Sequence, residues 1–122
     1  VEGRRVKVRV EEVEAGVEHG RTKEHLVVRM RAVVTEERRE VAVEKEARFF
    51  KSGGTIYGYV IIRADAEGGR EADYIHTAAV LKALGVDKWS RYKEQIRLTG
   101  GALDAMMRLE PVCRALGQCR KT

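Results

Sequence analysis

Residues 25–34 read HLVVRMRAVV, and the alternation within them decides the fold. Val28, Met30 and Ala32 fall on one side of an extended chain and Arg29 and Arg31 on the other, the period of two expected of a half-buried strand. Upstream, VKVRVEE at 6–12 repeats the pattern, with Val6, Val8 and Val10 opposing Arg5, Lys7 and Arg9. The segment between them, EAGVEHGRTKE at 14–24, is polar with two glycines and reads as the loop of a long hairpin. Downstream, REVAVEKEARFF at 39–50 gives a third strand and, after a KSGG turn, TIYGYVIIRA at 55–64 gives a fourth. In the fourth, Ile56, Val60 and Ile62 make the better core set, which turns Tyr57, Tyr59 and Arg63 outward. Ordinary cross-strand packing of the tyrosines is the competing reading.

From Glu71 the period changes. EADYIHTAAVLKALG at 71–85 carries Tyr74, Ala78 and Leu81 at helical spacing, with Glu71 and Asp73 favouring the first turn and Gly85 suited to the C-terminal cap. A short strand, EQIRLTG, follows the polar KWSRYK segment, and GALDAMMRLE returns to a helix with Leu103, Met106 and Met107 on one side. Pro111 suits a first helical position, so PVCRALG is a separate final helical turn or two. Strands and helices are segregated along the chain, which predicts an α+β domain with helices packed on one face of a mainly antiparallel sheet.

A length of 122 residues fits one domain, 1–122, with a single two-layer core. The chain opens on Val1, which fits a piece cut from a longer protein. No stretch resembles a signal peptide. The longest nearly uncharged run, SGGTIYGYVII, is too short and glycine-rich to cross a bilayer, so a cytoplasmic protein with no membrane partner is expected. The charged fraction is 35 %, asparagine is absent and glutamine occurs only at Gln95 and Gln118, a composition typical of hyperthermophiles. Cys113 and Cys119 lack two further clustered ligands for zinc, because His19, His25 and His76 are scattered; a disulfide is the favoured reading and free thiols the plain alternative.

Charge is distributed unevenly. Residues 88–122 hold eight Lys and Arg against three acidic residues, which accounts for the whole net charge of +5. Such a field attracts polyanions, since cations that neutralise phosphates release condensed counterions. Within that region Lys88, Arg91, Lys93 and Arg97 are the phosphate candidates, and Trp89 and Tyr92 are the stacking candidates. Thr99, with the following glycines, stands where a strand opens into a helix N-terminus and can face a phosphate. Tyr57, Tyr59 and Arg63 extend the same surface if their strand turns them outward. The rival reading is a solvated thermophile surface with pairs such as Lys93 with Glu94, and a Trp89 packed into the core.

Asp65 and Glu67 in RADAEGG are weak metal candidates of a Mg²⁺-dependent nuclease, against which the two glycines mark an ordinary turn. His76 is expected to be a surface or half-buried side chain rather than a catalyst, and no Ser-His-Asp or Cys-His set can be assembled. No cofactor motif is present. The expected function is a nucleic-acid-binding module for DNA or RNA, without catalysis of its own. The alternative is a protein-protein assembly or ribosome-associated factor, or a homodimer, using an exposed strand such as VKVRV.

The stretches GGTIYGYVIIRADAEGGREADYIHTAAVLKALGV and QIRLTGGALDAMMRLEPVCRALG resemble a paralogous-repeat family of hyperthermophilic crenarchaea (that of Pyrobaculum) over about residues 29–116, a resemblance that implies no activity. More loosely, the succession strand, helix ending in LKALGV, strand, helix is similar to the sheet half of LAGLIDADG homing endonucleases, in which the sheet lies on DNA. That similarity implies DNA binding. It does not extend to cleavage, because Asp65 follows Tyr57, Tyr59 and Ile61 at strand spacing, not at a helix end.

Overall fold

The structure, a computed structural model, describes residues 3–21 and 23–119. Its strands are β1 (Lys7–His19), β2 (Glu24–Glu36), β3 (Arg39–Ser52), β4 (Thr55–Ile61), β5 (Ser90–Arg91) and β6 (Gln95–Thr99). The helices are α1 (Gly69–Ala83), α2 (Gly100–Met106) and α3 (Glu110–Ala115). The strands form one sheet in the order β1-β2-β3-β4-β6-β5, with every neighbouring pair antiparallel. The molecule is therefore α+β, as the segregated periodicities predict.

The alternation in residues 25–34 works as expected. Val28, Met30, Ala32 and Val34 are buried beneath the helices, while Arg29 and Arg31 emerge on the opposite face. On β3 the buried set is Val43, Ala47 and Phe49, and around β4 it is Val60 and Ile62. Gly58 is needed at its position because Phe49 lies opposite it across the ladder; a Cβ there would stand 2.6 Å from the Phe49 ring. All three helices bury their apolar residues, among them Ile75, Leu81, Met106 and Val112, in this same cluster.

Two local expectations are corrected. Residues 14–19, read as part of a loop, continue β1 as far as His19, because β2 is long enough to supply partners down to His19↔Glu24. The connection shrinks to residues 20–23, closed by the Gly20 N–H donating to the Lys23 carbonyl at 2.9 Å. The continuation is possible only because the register shifts between Val10 and Glu12, a bulge at Glu11 that reverses the parity of the rest of the strand. Before it Val8 and Val10 pack on the core; after it Val13 and Ala15 do. The turn at 51–54 also tightens: Lys51 and Ser52 stay in β3, and only Gly53 (φ 59) and Gly54 (φ 83) make the bend. These left-handed values at both positions are those of a two-residue hairpin whose twist matches the sheet.

At the end of α1, Gly85 adopts φ 95, and the N–H of Val86 reaches back to the Leu81 carbonyl at 3.0 Å. This is the expected glycine cap. Asp73, in contrast, does not serve the first turn in water. It is buried under the sheet, where its Oδ2 accepts from Lys45 Nζ at 2.5 Å and from the Arg63 backbone N–H at 2.7 Å. Lys45 Nζ also donates to the Ile61 carbonyl at 3.1 Å, and its side chain is only 7 % exposed. One ion pair thus ties β3, the end of β4 and α1 together. Cys113 and Cys119 are joined in a disulfide with Cα atoms 4.8 Å apart, clamping the segment after α3. Among the described residues no helix is long and apolar enough to cross a membrane.

Because Lys45 and Asp73 are buried as a charge pair, Lys45→Met is expected to cost about 3–5 kcal/mol, leaving the Asp73 carboxyl without its cation. The double change Lys45→Met with Asp73→Leu should recover much of that loss in urea melts. If the double variant is as unstable as the sum of the singles, the pair is not coupled.

Candidate nucleic-acid interface

With all helices on one side, the other face of the sheet is uncovered. Its chemistry follows from strand parity: β3 contributes Arg48 and Phe50, β4 contributes Tyr57, Tyr59 and Ile61, and β6 contributes Gln95, Arg97 and Thr99. The register sets them in rows. One runs Arg48↔Tyr59↔Arg97↔Ser90 and the next Phe50↔Tyr57↔Thr99. Phe50 stands at the centre of the aromatic group, 6.0 Å from Tyr57, 6.4 Å from Tyr59 and 5.5 Å from His25 between ring centroids. Lys23 Nζ lies 5.1 Å over its ring. At the other border, the Arg97 guanidinium lies 4.2 Å over the ring of Tyr92. Tyr57 and Tyr92 are 48 % and 47 % exposed, and Ile61 is 50 % exposed, so large apolar area is left facing water.

Toward β1 the same face becomes an ion-pair ladder. Arg31 pairs with Glu12, and Arg29 lies 3.9 Å from Glu18. Arg48 is held by both Glu18 (3.0 Å) and Glu46 (2.7 Å). Glu12, at its side, holds the Glu14 carboxyl above the usual carboxylate range. The face is thus divided between an acidic, self-neutralised side and an aromatic side carrying Arg97, which has no carboxylate partner among the described residues.

The residues singled out from the sequence fall in several places. Tyr57, Tyr59, Tyr92, Arg97 and Thr99 come together on the open face, and Lys93 sits exposed in the turn beside Tyr92. Arg91 does not join them. It shares the helix side with its partner Ile96, its guanidinium 3.8 Å over the Tyr74 ring and paired with Glu71, whose carboxyl it holds below the usual range. Trp89 is half-buried against the core and donates its indole N–H to the Tyr74 hydroxyl at 3.1 Å. Lys88 is exposed in the loop before it. Arg63 grips Asp65 through two bonds of 3.0 and 3.1 Å, which holds the Asp65 carboxyl low, and Glu67 is taken by Arg39. Among the described residues no three His, Cys, Asp or Glu side chains converge as a metal site would need. Arg114 pairs with Glu110 on α3, and Arg120 and Lys121 lie outside the described residues. The cations of residues 88–119 are accordingly spread over both sides of the sheet.

Sequence reading missed Phe50, Arg48, His25 and Lys23. A signal for Phe50 was present: Phe49 and Phe50 are consecutive on a strand, so one of them must emerge on the face opposite the core.

Among the described residues, then, the architecture is an antiparallel sheet helical on one side and aromatic and cationic on part of the other. Comparison of the chain with protein-family models, with curated proteins and with solved structures found no match.

His76, expected to be exposed or half-buried, is buried on α1 because that helix turns nearly its whole middle into the core. Burial lowers its pKa, against the pull of Glu36 and with the push of Arg4. The unfolded chain therefore takes up this proton near pH 6.5, above the pH at which the folded chain does, and stability falls as pH drops from about 6.5 toward the folded value. Thermal melts at about pH 7 and 5.5 should show a larger loss for the wild type than for His76→Gln. Equal losses would assign the response to other groups.

Proposed function

We propose that the chain is a nucleic-acid-binding module without catalysis of its own, and that it binds on the aromatic side of the open sheet face. The observation that carries this reading is Arg97, a cation without a carboxylate partner among the described residues, set between Tyr59 across the ladder and Tyr92 stacked upon it. Flat guanidinium and aromatic surfaces side by side suit phosphates and bases together. Lys93 at the β5–β6 turn and Lys23 over Phe50 add positive charge at the borders. Cleavage forms no part of the reading, since Asp65 and Glu67 are each engaged by an arginine. The half-exposed Ile61 supports a protein partner as the second reading, which sizing of the native protein before and after nuclease treatment separates from the first.

With about three phosphates neutralised, affinity for a labelled oligonucleotide should fall roughly twenty- to forty-fold between 50 and 200 mM salt. Arg97→Glu should weaken binding about tenfold or more without moving the melting temperature, whereas Arg91→Glu, on the other side of the sheet, should leave binding nearly intact. Equal affinity at both salts, or none at low salt, would overturn the proposal.

A further inference from the structure

Resting on that reading, we infer that the ligand is a single strand, DNA or RNA, whose unstacked bases lie on Tyr57, Tyr59 and Tyr92. A duplex shows a protein its phosphates and the edges of its bases, and hides the base planes. Exposed rings such as Tyr57 and Tyr92 have nothing to stack on in a duplex. In a single strand every base offers a flat face, and an aromatic platform on an open sheet is one way to use it.

The dimensions of the face agree. Neighbouring strands are about 4.8 Å apart and alternate residues along a strand about 6.8 Å, so Tyr57, Tyr59 and Arg97 form a compact grid of ring-sized positions. A duplex laid across the strands with one phosphate row on Arg97 would set the other about 12 Å away across the major groove. That distance reaches beyond β3 toward β2, where Glu18 and Glu46 already hold Arg48 and Glu12 holds Arg31. In the opposite direction the sheet ends at the two residues of β5. A flexible strand can instead keep to β3, β4 and β6. Beside it, a shallow groove lined by Ile61, Tyr92, Lys93, Glu94 and Gln95 puts an aromatic ring and a cation within reach of one further nucleotide.

Fluorescence anisotropy with an oligothymidine and an oligouridine of about ten nucleotides, and with a hairpin duplex of equal charge, tests this at about 50 mM salt. The single strands should bind at least about tenfold tighter than the duplex. Tyr57→Ala and Tyr92→Ala should each reduce single-strand affinity about tenfold, Tyr57→Phe should restore it, and weak duplex binding should not move. Both rings are outside the core, so unchanged melting temperatures should accompany the loss. Equal affinity for strand and duplex, insensitive to the tyrosine variants, would overturn the single-strand inference and leave the proposed function standing. Absence of binding to any probe would overturn both, as would a stable dimer that covers Tyr57 and Tyr92 and binds none of them.

Discussion

A six-stranded sheet has two faces, and this chain supplies helices for one. The 15 residues of α1 and the short α2 and α3 all pack beneath the sheet. Period-two alternation then sends strand residues to a helix-covered side or to an open one, apart from the bulge at Glu11. The exposed rings of Tyr57 and Tyr92, the arginine stacked beside them and the glutamate ladder toward β1 are all consequences of that division. Lys45 and Asp73 fasten it, because a buried pair satisfied on both partners fixes where α1 lies against β3.

Within the wet face, the arginines differ by what they touch. Arg29 and Arg31 meet glutamates of the neighbouring β1, and Arg48 meets Glu18 two strands away and Glu46 on its own strand, which neutralises all three in place. Elsewhere, Arg91 on the helix side and Arg63 beyond the end of β4 are similarly engaged, by Glu71 and Asp65. Arg97 rests on a tyrosine instead. An aromatic ring orients a guanidinium while leaving its charge and its N–H donors available, which a carboxylate does not. Total charge along the sequence therefore says less about a polyanion site than the identity of each cation's neighbour.

Much of the architecture was legible in residues 25–34 and 55–64, because alternation is a direct image of one-sided burial. The outward direction of Tyr57 and Tyr59 could be read the same way. What escaped was anything that depends on a partner strand. Gly16 and its charged neighbours look like a loop and become strand only because β2 offers them Val27 and its neighbours as partners. The turn at Glu37 (φ 50) and Arg38 (φ 67) has none of the usual glycine or asparagine markers. Clustering of cations in residues 88–122 suggested one surface, yet Arg91 and Arg97, six residues apart, come out on opposite sides because the hairpin between them pairs Arg91 with Ile96. Lys45 shares parity with Val43 and Ala47, so its inward direction was in principle readable; its partner on a helix 28 residues away was not.

The bulge at Glu11 has an effect beyond the parity of β1. This strand is an outer one, 13 residues long, with one row of peptide groups that no other strand in the sheet uses. A straight edge of that length is a template on which foreign strands polymerise, the route toward amyloid. A kink near its middle, with Lys7 and Arg9 before it and Glu12 and Glu14 after, breaks the even spacing such growth requires. The irregularity that lets β1 follow β2 to its end also interrupts the straight edge on which a foreign strand would pair.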